Sequence, residues 1–133
     1  MARITIERKQ KMTNPFRDQE KFMIASEQST TEENQTQYKM YLDLIDEEVQ
    51  ELKDSTTPQD DLDALIDILV VTIGAIYSMG ADPEGAWREV MATNLAKIDR
   101  VTGKVRKRED GKVLKPEGWT APNLKSYLHR NYQ

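Results

Sequence analysis

The sequence predicts an all-α fold: a four-helix, bundle-like core followed by a basic C-terminal hairpin or loop extension. Three observations predict it. Apolar residues recur at spacings of three and four in four successive segments. Pro58 and Pro83 each stand where a helix would begin, and proline is favoured in a first helical turn. Alternation typical of extended chain is confined to the stretch after Arg100, around Asp110-Gly111.

The elements follow in order. Residues 1–15 carry several bases and end in "TNP", which suits a basic arm or a short edge element. A first helix is expected from about Pro15 to Ser29, with Phe16, Gln19 or Glu20, Met23 and Ile24 spaced helically. "STTEEN" links it to a second helix, about Asn34 to Lys53. "DSTTPQD" breaks that helix, and a third runs from about Pro58 to Met79. After "GADPEG", with Asp82 as N-cap, a fourth runs from Pro83 to about Lys97 or Arg100. Asp110-Gly111 between "KVRKRE" and "KVLKP" signals a hairpin. "KSYLHRNYQ" suits a short terminal helix.

At 133 residues the chain is long enough for one domain with its own core. The expected division is an arm at 1–15, a helical core at 16–98 and a basic hairpin and tail at 99–133. With 38% hydrophobic and 32% charged residues, much of the surface is polar. The absence of cysteine excludes disulfides and thiolate chemistry. A single histidine, His129, argues against a zinc site or a Ser-His-Asp triad. "MARITIERKQKM" lacks the apolar stretch of a signal peptide, and "ILVVTIGAIYSMGA" is too short to span a bilayer. The expectation is a cytoplasmic protein with no membrane association.

The third helix is distinctive. Leu62, Leu65, Ile66, Leu69, Ile73 and Ile76 make one broad apolar face, and Val70, Val71 and Ala75 extend it round the second half. Such a helix is expected to be buried on several sides, as a central bundle helix or at a dimer interface. Gly74 costs about 1 kcal/mol relative to alanine within a helix, so close backbone approach by a neighbouring helix is expected there.

Charge is segregated. Asp43 to Asp67 contains ten acids and one base, Lys53, whereas Asp99 to Lys115 contains seven bases and three acids. Within "YLDLIDEEVQEL", Glu48 falls inside the apolar stripe of Tyr41, Ile45, Val49 and Leu52, with Glu51 at its edge. On the next helix Asp60, Asp63 and Asp67 stack along one side and run toward Val70, Val71 and Gly74. An unpaired carboxylate among apolar side chains costs several kcal/mol. These helices supply almost no bases to pair with it, and Lys53 is the only one near. A divalent cation accounts for both misplaced sets: Glu48 and Glu51 project from one helix, Asp63 and Asp67 from the other. Carboxylate oxygens with retained waters suit Mg²⁺. Asp43, Asp46, Glu47, Asp54 and Asp61 suit a solvated face.

These residues carry a resemblance. "DEEVQEL", then "DALIDILVVTIG", "TNLAKID" and "GKVLKPEGW" look like the all-α nucleoside triphosphate pyrophosphohydrolases. They are most similar to the MazG-like and phosphoribosyl-ATP pyrophosphohydrolase-like members, including short phage-type ones. The resemblance spans about Asp18 to Leu124. It implies a four-helix core assembled into dimers or tetramers. It also implies Mg²⁺- or Mn²⁺-dependent hydrolysis of a nucleotide between the α- and β-phosphates, giving a monophosphate and pyrophosphate. The family's E-x-x-E carries over to Glu48 and Glu51, with Glu47 accessory. Of its E-x-x-D, the aspartate carries over to Asp67, but the glutamate position is Ala64; Asp63 or Asp60 would have to substitute. Asn94 and Lys97 match the phosphate- or sugar-contacting pair. Lys112, Lys115 and Trp119 match the C-terminal segment.

Under this reading Lys97, with Lys112, Lys115 or Arg106, binds the β- and γ-phosphates, and Glu47 or Glu51 accepts the proton from the attacking water. For Trp119 the plainer expectation is that it packs a loop against the bundle; for Tyr38 and Tyr41 it is core, with the nucleotide pocket as the alternative. The substrate stays open among nucleoside triphosphates, phosphoribosyl-ATP and alarmones, with the triphosphates favoured. Functions of another class are a non-catalytic helical interaction module, or a nucleic-acid-binding module, which the acidic balance disfavours.

Overall fold

The computed structural model describes residues 14–129. Four helices are present: α1 (Pro15–Ala25), α2 (Gln35–Asp54), α3 (Pro58–Ser78) and α4 (Pro83–Leu95). A 3₁₀ turn, Lys125–Tyr127, stands where a terminal helix was expected. The basic arm lies outside the described residues, apart from its last two.

Each helix starts on a side-chain cap. Asn14 accepts from the Phe16 and Arg17 N–H groups, Asn34 from Gln37, Thr57 from Asp60 and Asp82 from Gly85. Each bond satisfies donors that have no partner within their own helix. Pro15, Pro58 and Pro83 occupy the first turns, where the missing N–H is no loss.

The first helix is shorter than its periodicity suggests. It stops at Ala25 because Glu27 adopts a left-handed φ of 60°. The Gln28 N–H then folds back onto the Met23 carbonyl at 2.9 Å. No glycine announces this reversal. The fourth helix likewise ends at Leu95, before Lys97.

α2 and α3 are antiparallel and form the body of the fold, with α1 against α3. The core is Met23, Tyr41, Val71, Ile73, Ala75 and Tyr77, flanked by Phe16, Tyr38, Leu44 and Ile45. Tyr38 and Tyr41 are thus packed into the body of the fold. Two polar groups fix the α2–α3 register. Gln37 donates to Ser78 Oγ at 2.9 Å and also brackets Ser29, accepting from its N–H and donating to its carbonyl. Ser78 in turn donates to the Gly74 carbonyl at 2.7 Å. Four residues along, the Tyr41 ring lies on Gly74, so closely that a Cβ there would overlap it. The glycine therefore admits a side-chain ring, not the neighbouring backbone that was expected. The Tyr41 hydroxyl donates to Gln28 and so holds the ring in place.

α1 is tied to α3 by the Tyr77 hydroxyl, which donates to the Phe16 carbonyl at 2.9 Å. It meets α4 through the Arg17–Glu84 ion pair at 2.7 Å and the Phe16–Trp87 ring contact at 6.1 Å. α4 leaves α3 through a 113° bend.

The broad apolar face of α3 is only half covered. Val71 to Ala75 and Tyr77 to Ser78 are buried except Thr72, but Leu62, Leu65, Ile66 and Leu69 are 48–62% exposed. Sequence periodicity predicted burial for all of them. Ile66 and Leu69, with Phe22 at 62% exposure, border an open groove of about 490 Å³ between α1 and α3.

After α4 the chain makes single antiparallel bridges, Ile98 to Val105 and Lys107 to Val113. The expected hairpin turn is present at Asp110-Gly111. It is a three-residue loop in which Gly111 N–H returns to the Arg108 carbonyl with φ of 87°. Among the described residues, no single helix is long and apolar enough to cross a membrane.

Candidate functional site

The register of α2 on α3 places the acids. Gln37 meets Ser78 and Tyr41 meets Gly74. Seven residues further along each helix, in opposite directions, Glu48 comes level with Asp67. Three more bring Glu51 level with Ala64, which is buried. Seven residues is about two turns, so side-chain direction is nearly preserved. The contacts that orient Tyr41 toward α3 therefore orient Glu48 toward α3 as well.

Glu48 is half-buried, and its Oε2 is sealed from solvent with no hydrogen-bond partner among the described residues. Its carboxyl is held above its ordinary value of 4.5. Desolvation is the main cause, followed by a hydrogen bond shared with Glu51 and by the negative charges of Glu51, Asp67 and Asp63. Asp67 is pushed upward too, first by desolvation and then by Asp63 and Glu51. The four carboxylates thus feel one another directly. The ion pairs among the described residues are Arg17 with Glu20 and with Glu84, and Arg108 with Asp110; no base serves these acids. Glu47 and Asp60 are exposed. Asp60 and Asp63 border an open depression of about 530 Å³ with Gln59, Leu62 and Ile66.

The donor set fits a hard divalent cation: oxygen ligands only, a surplus of negative charge and one buried oxygen with nothing to accept. Among the described residues no three acidic or histidine side chains are grouped so as to hold a metal ion as they stand. Glu48, Glu51, Asp63 and Asp67 lie near enough for their charges to act on one another.

The cationic residues gather elsewhere. Trp119 docks its loop on the end of α4 by donating its indole N–H to the Thr93 carbonyl at 2.8 Å. The Lys97 and Lys115 ammonium groups lie 5.2 Å and 4.9 Å from the centre of its ring. Lys97 also donates to Asn94 Oδ1 at 3.1 Å. An open cleft of about 530 Å³ adjoins them, bordered by Thr93, Asp99, Arg100 and Thr120. Lys112 is exposed, in the hairpin. Tyr41, by contrast, is 4% exposed and belongs to the core.

Asp67 stands about 16 Å before the end of α3 and Lys97 about 20 Å beyond the start of α4 at 1.5 Å per residue. With the 113° bend between those helices, the Asp67 and Lys97 backbones lie on the order of 20 Å apart. Sequence reasoning gave the residue types but not this separation. It also missed the Thr93 carbonyl, which no side-chain pattern could reveal. Asp99 was likewise missed, although "DRVTG" carries a turn signal: its carboxylate accepts from the Val101 and Thr102 N–H groups. Those bonds hold it below its ordinary value.

A family model for phosphoribosyl-ATP pyrophosphohydrolase matches residues 16–94, which is more than half of the chain. The match takes in both acid-bearing helices and stops before Lys97, Lys112, Lys115 and Trp119. No curated protein matches the chain. The expected kinship is thereby met: this chain belongs to the phosphoribosyl-ATP pyrophosphohydrolase family and is a nucleotide pyrophosphohydrolase, a hydrolase of acid anhydrides.

Proposed function

We propose that this protein hydrolyses a nucleoside or deoxynucleoside triphosphate between the α- and β-phosphates. The products are the monophosphate and pyrophosphate, and Mg²⁺, or Mn²⁺ in its place, is required. The observation that carries this reading is Glu48 Oε2, buried without a partner among the described residues, at the level of Asp67 and beside two further acids. Glu48, Glu51, Asp63 and Asp67 would hold the cation. When bound, a divalent cation neutralises phosphoryl oxygens and acidifies a water molecule. Glu47 or Glu51, both exposed, accepts the proton from the attacking water. Lys97, steadied by Asn94, binds the β- and γ-phosphates. Phosphoryl transfer asks mainly for such positioning and charge stabilisation.

A second copy of the chain would close the distance between acids and bases. The exposed face of α3, Leu62, Leu65, Ile66 and Leu69, is the surface that a homodimer or homotetramer would cover. Large exposed apolar side chains in one patch are unfavourable in a monomer, so assembly and site completion are one event in this reading.

The test is a panel of standard nucleoside and deoxynucleoside triphosphates, phosphoribosyl-ATP and a guanosine alarmone, each with Mg²⁺. Products are separated as pyrophosphate and orthophosphate. Pyrophosphate from triphosphates supports the proposal. Turnover of phosphoribosyl-ATP alone would transfer the reading to the substrate in the family's name, and orthophosphate alone would refute it.

A further inference from the structure

We infer that Trp119 is a positioning residue that binds the Lys97 and Lys115 ammonium groups into a single pyrophosphate clamp. The inference rests on the pyrophosphohydrolase reading, and its ligand is the pyrophosphate moiety itself.

Lysine carries its charge on a flexible four-carbon stem, and holding one in place costs side-chain entropy. Here two lysines from separate segments, eighteen residues apart in sequence, converge on one indole ring. Like charges would separate if nothing held them. The negative face of an aromatic ring is a suitable common anchor, strongest for tryptophan. Neither ammonium forms an ion pair among the described residues. Both therefore keep N–H donors for an anion, after the one that Lys97 gives to Asn94.

The ring itself is fixed. Its indole N–H reaches back 26 residues to the Thr93 carbonyl, one turn before Lys97. Trp119 is half-buried, so the bond is partly shielded from water. Loop and helix end are thus joined at the place where the two charges meet. Both ammonium groups lie about 5 Å from one ring centre, so they can be no more than about 10 Å apart. The terminal oxygens of pyrophosphate spread over roughly 5 Å, and each accepts a charge-assisted bond at about 2.8 Å. One diphosphate can therefore reach both lysines anywhere within that limit, whereas an orthophosphate, with its oxygens about 2.5 Å apart, bridges only about 8 Å.

The experiment is calorimetric titration of the full chain with pyrophosphate and with orthophosphate, without added divalent cation, at low salt. Parent protein is compared with Trp119→Phe and Trp119→Leu. The expected result is a preference for pyrophosphate in the parent. Trp119→Phe, which keeps a ring face but loses the Thr93 bond, should stay within about threefold. Trp119→Leu should bind pyrophosphate about tenfold more weakly, with circular dichroism unchanged. In steady state the same variant should raise KM more than it lowers kcat.

Equal binding of the two anions by the parent would overturn the clamp. So would equal loss in Trp119→Phe and Trp119→Leu, because the residue would then act only as a loop anchor. Full affinity in a folded Trp119→Leu would overturn it as well. Direct titration does not depend on turnover. A Trp119-dependent clamp on a protein that hydrolyses no nucleotide would refute the function and leave the positioning role standing.

Discussion

Replacing Glu48 by glutamine should have opposite effects with and without a divalent cation. In the metal-free protein the ionised carboxylate is a liability, with a buried oxygen that accepts nothing among the described residues and with Glu51, Asp63 and Asp67 around it. An unsatisfied buried polar group costs about 1–3 kcal/mol, and each neighbouring like charge adds a few tenths. Glutamine leaves a polar atom in the same buried place but removes the charge, so Glu48→Gln should recover the three repulsions, about 1 kcal/mol. Unfolding entropy near 2.1 cal/mol/K per residue makes that about 4 °C in Tm for a chain of this length. Addition of cation reverses the order. At 100 times its Kd a ligand stabilises the parent by about 2.7 kcal/mol, or roughly 10 °C here. The variant, lacking the buried charge, should keep less than about a third of that gain. Thermal melts at one protein concentration, with EDTA and with millimolar Mg²⁺ or Mn²⁺, would show the two proteins changing places. A metal-free variant that melts below the parent would refute the account of Glu48, as would equal metal shifts.

Further expectations concern the same features. Glu48 and Asp67 are both held above their ordinary values of 4.5 and 3.8, so the folded chain keeps their protons more tightly than the unfolded one. Their contribution to metal-free stability is therefore fully present below the ordinary values. It is lost as pH rises through the raised ones. Chemical denaturation from pH 7 down to 4.5 should show the advantage of Glu48→Gln over the parent shrinking; an advantage that grows on acidification would contradict this. Gly74→Ala should destabilise by about 1–2 kcal/mol net of its helix-propensity gain, because Tyr41 is held by Gln28 and cannot swing away. A denaturant midpoint at or above the parent's would show that the ring can move. Ile66→Glu or Leu69→Glu should convert a sedimenting oligomer to monomer and lower turnover at least tenfold. A parent that already sediments as a monomer would remove α3 as an interface.

The helices were legible because their punctuation is chemical. Pro58, Pro83 and Asp82 announce starts that the structure meets to the residue. The end of α1 was not legible, since Glu27 takes up a left-handed conformation that glycine would normally signal. Periodicity placed Glu48 on the inner face of α2 and Asp67 beside it, because two helices joined by a short turn have little choice of partner. It did not say which surface covers the apolar face of α3. An apolar stripe records what a helix is suited to touch, and in one chain Leu62 and Leu69 touch little. The distance between the carboxylates and Lys97 was hidden for a related reason: it depends on the bend before α4, which the Gly80–Pro83 turn signals but does not orient.

The Gln37–Ser78 bond and the Tyr41–Gly74 contact lie at the far end of the α2–α3 pair from the connecting turn at 55–57. The level at which Glu48 meets Asp67 is measured from that far end. The turn itself has little say in it. Extra residues inserted at 55–57 should leave the carboxylates opposite one another. A single residue inserted between Tyr41 and Glu48 would carry the glutamate round the helix by about 100° and out of reach. The chain is therefore tolerant of redesign where its two main helices are joined, and intolerant of it within the two turns that separate a tyrosine from an acid.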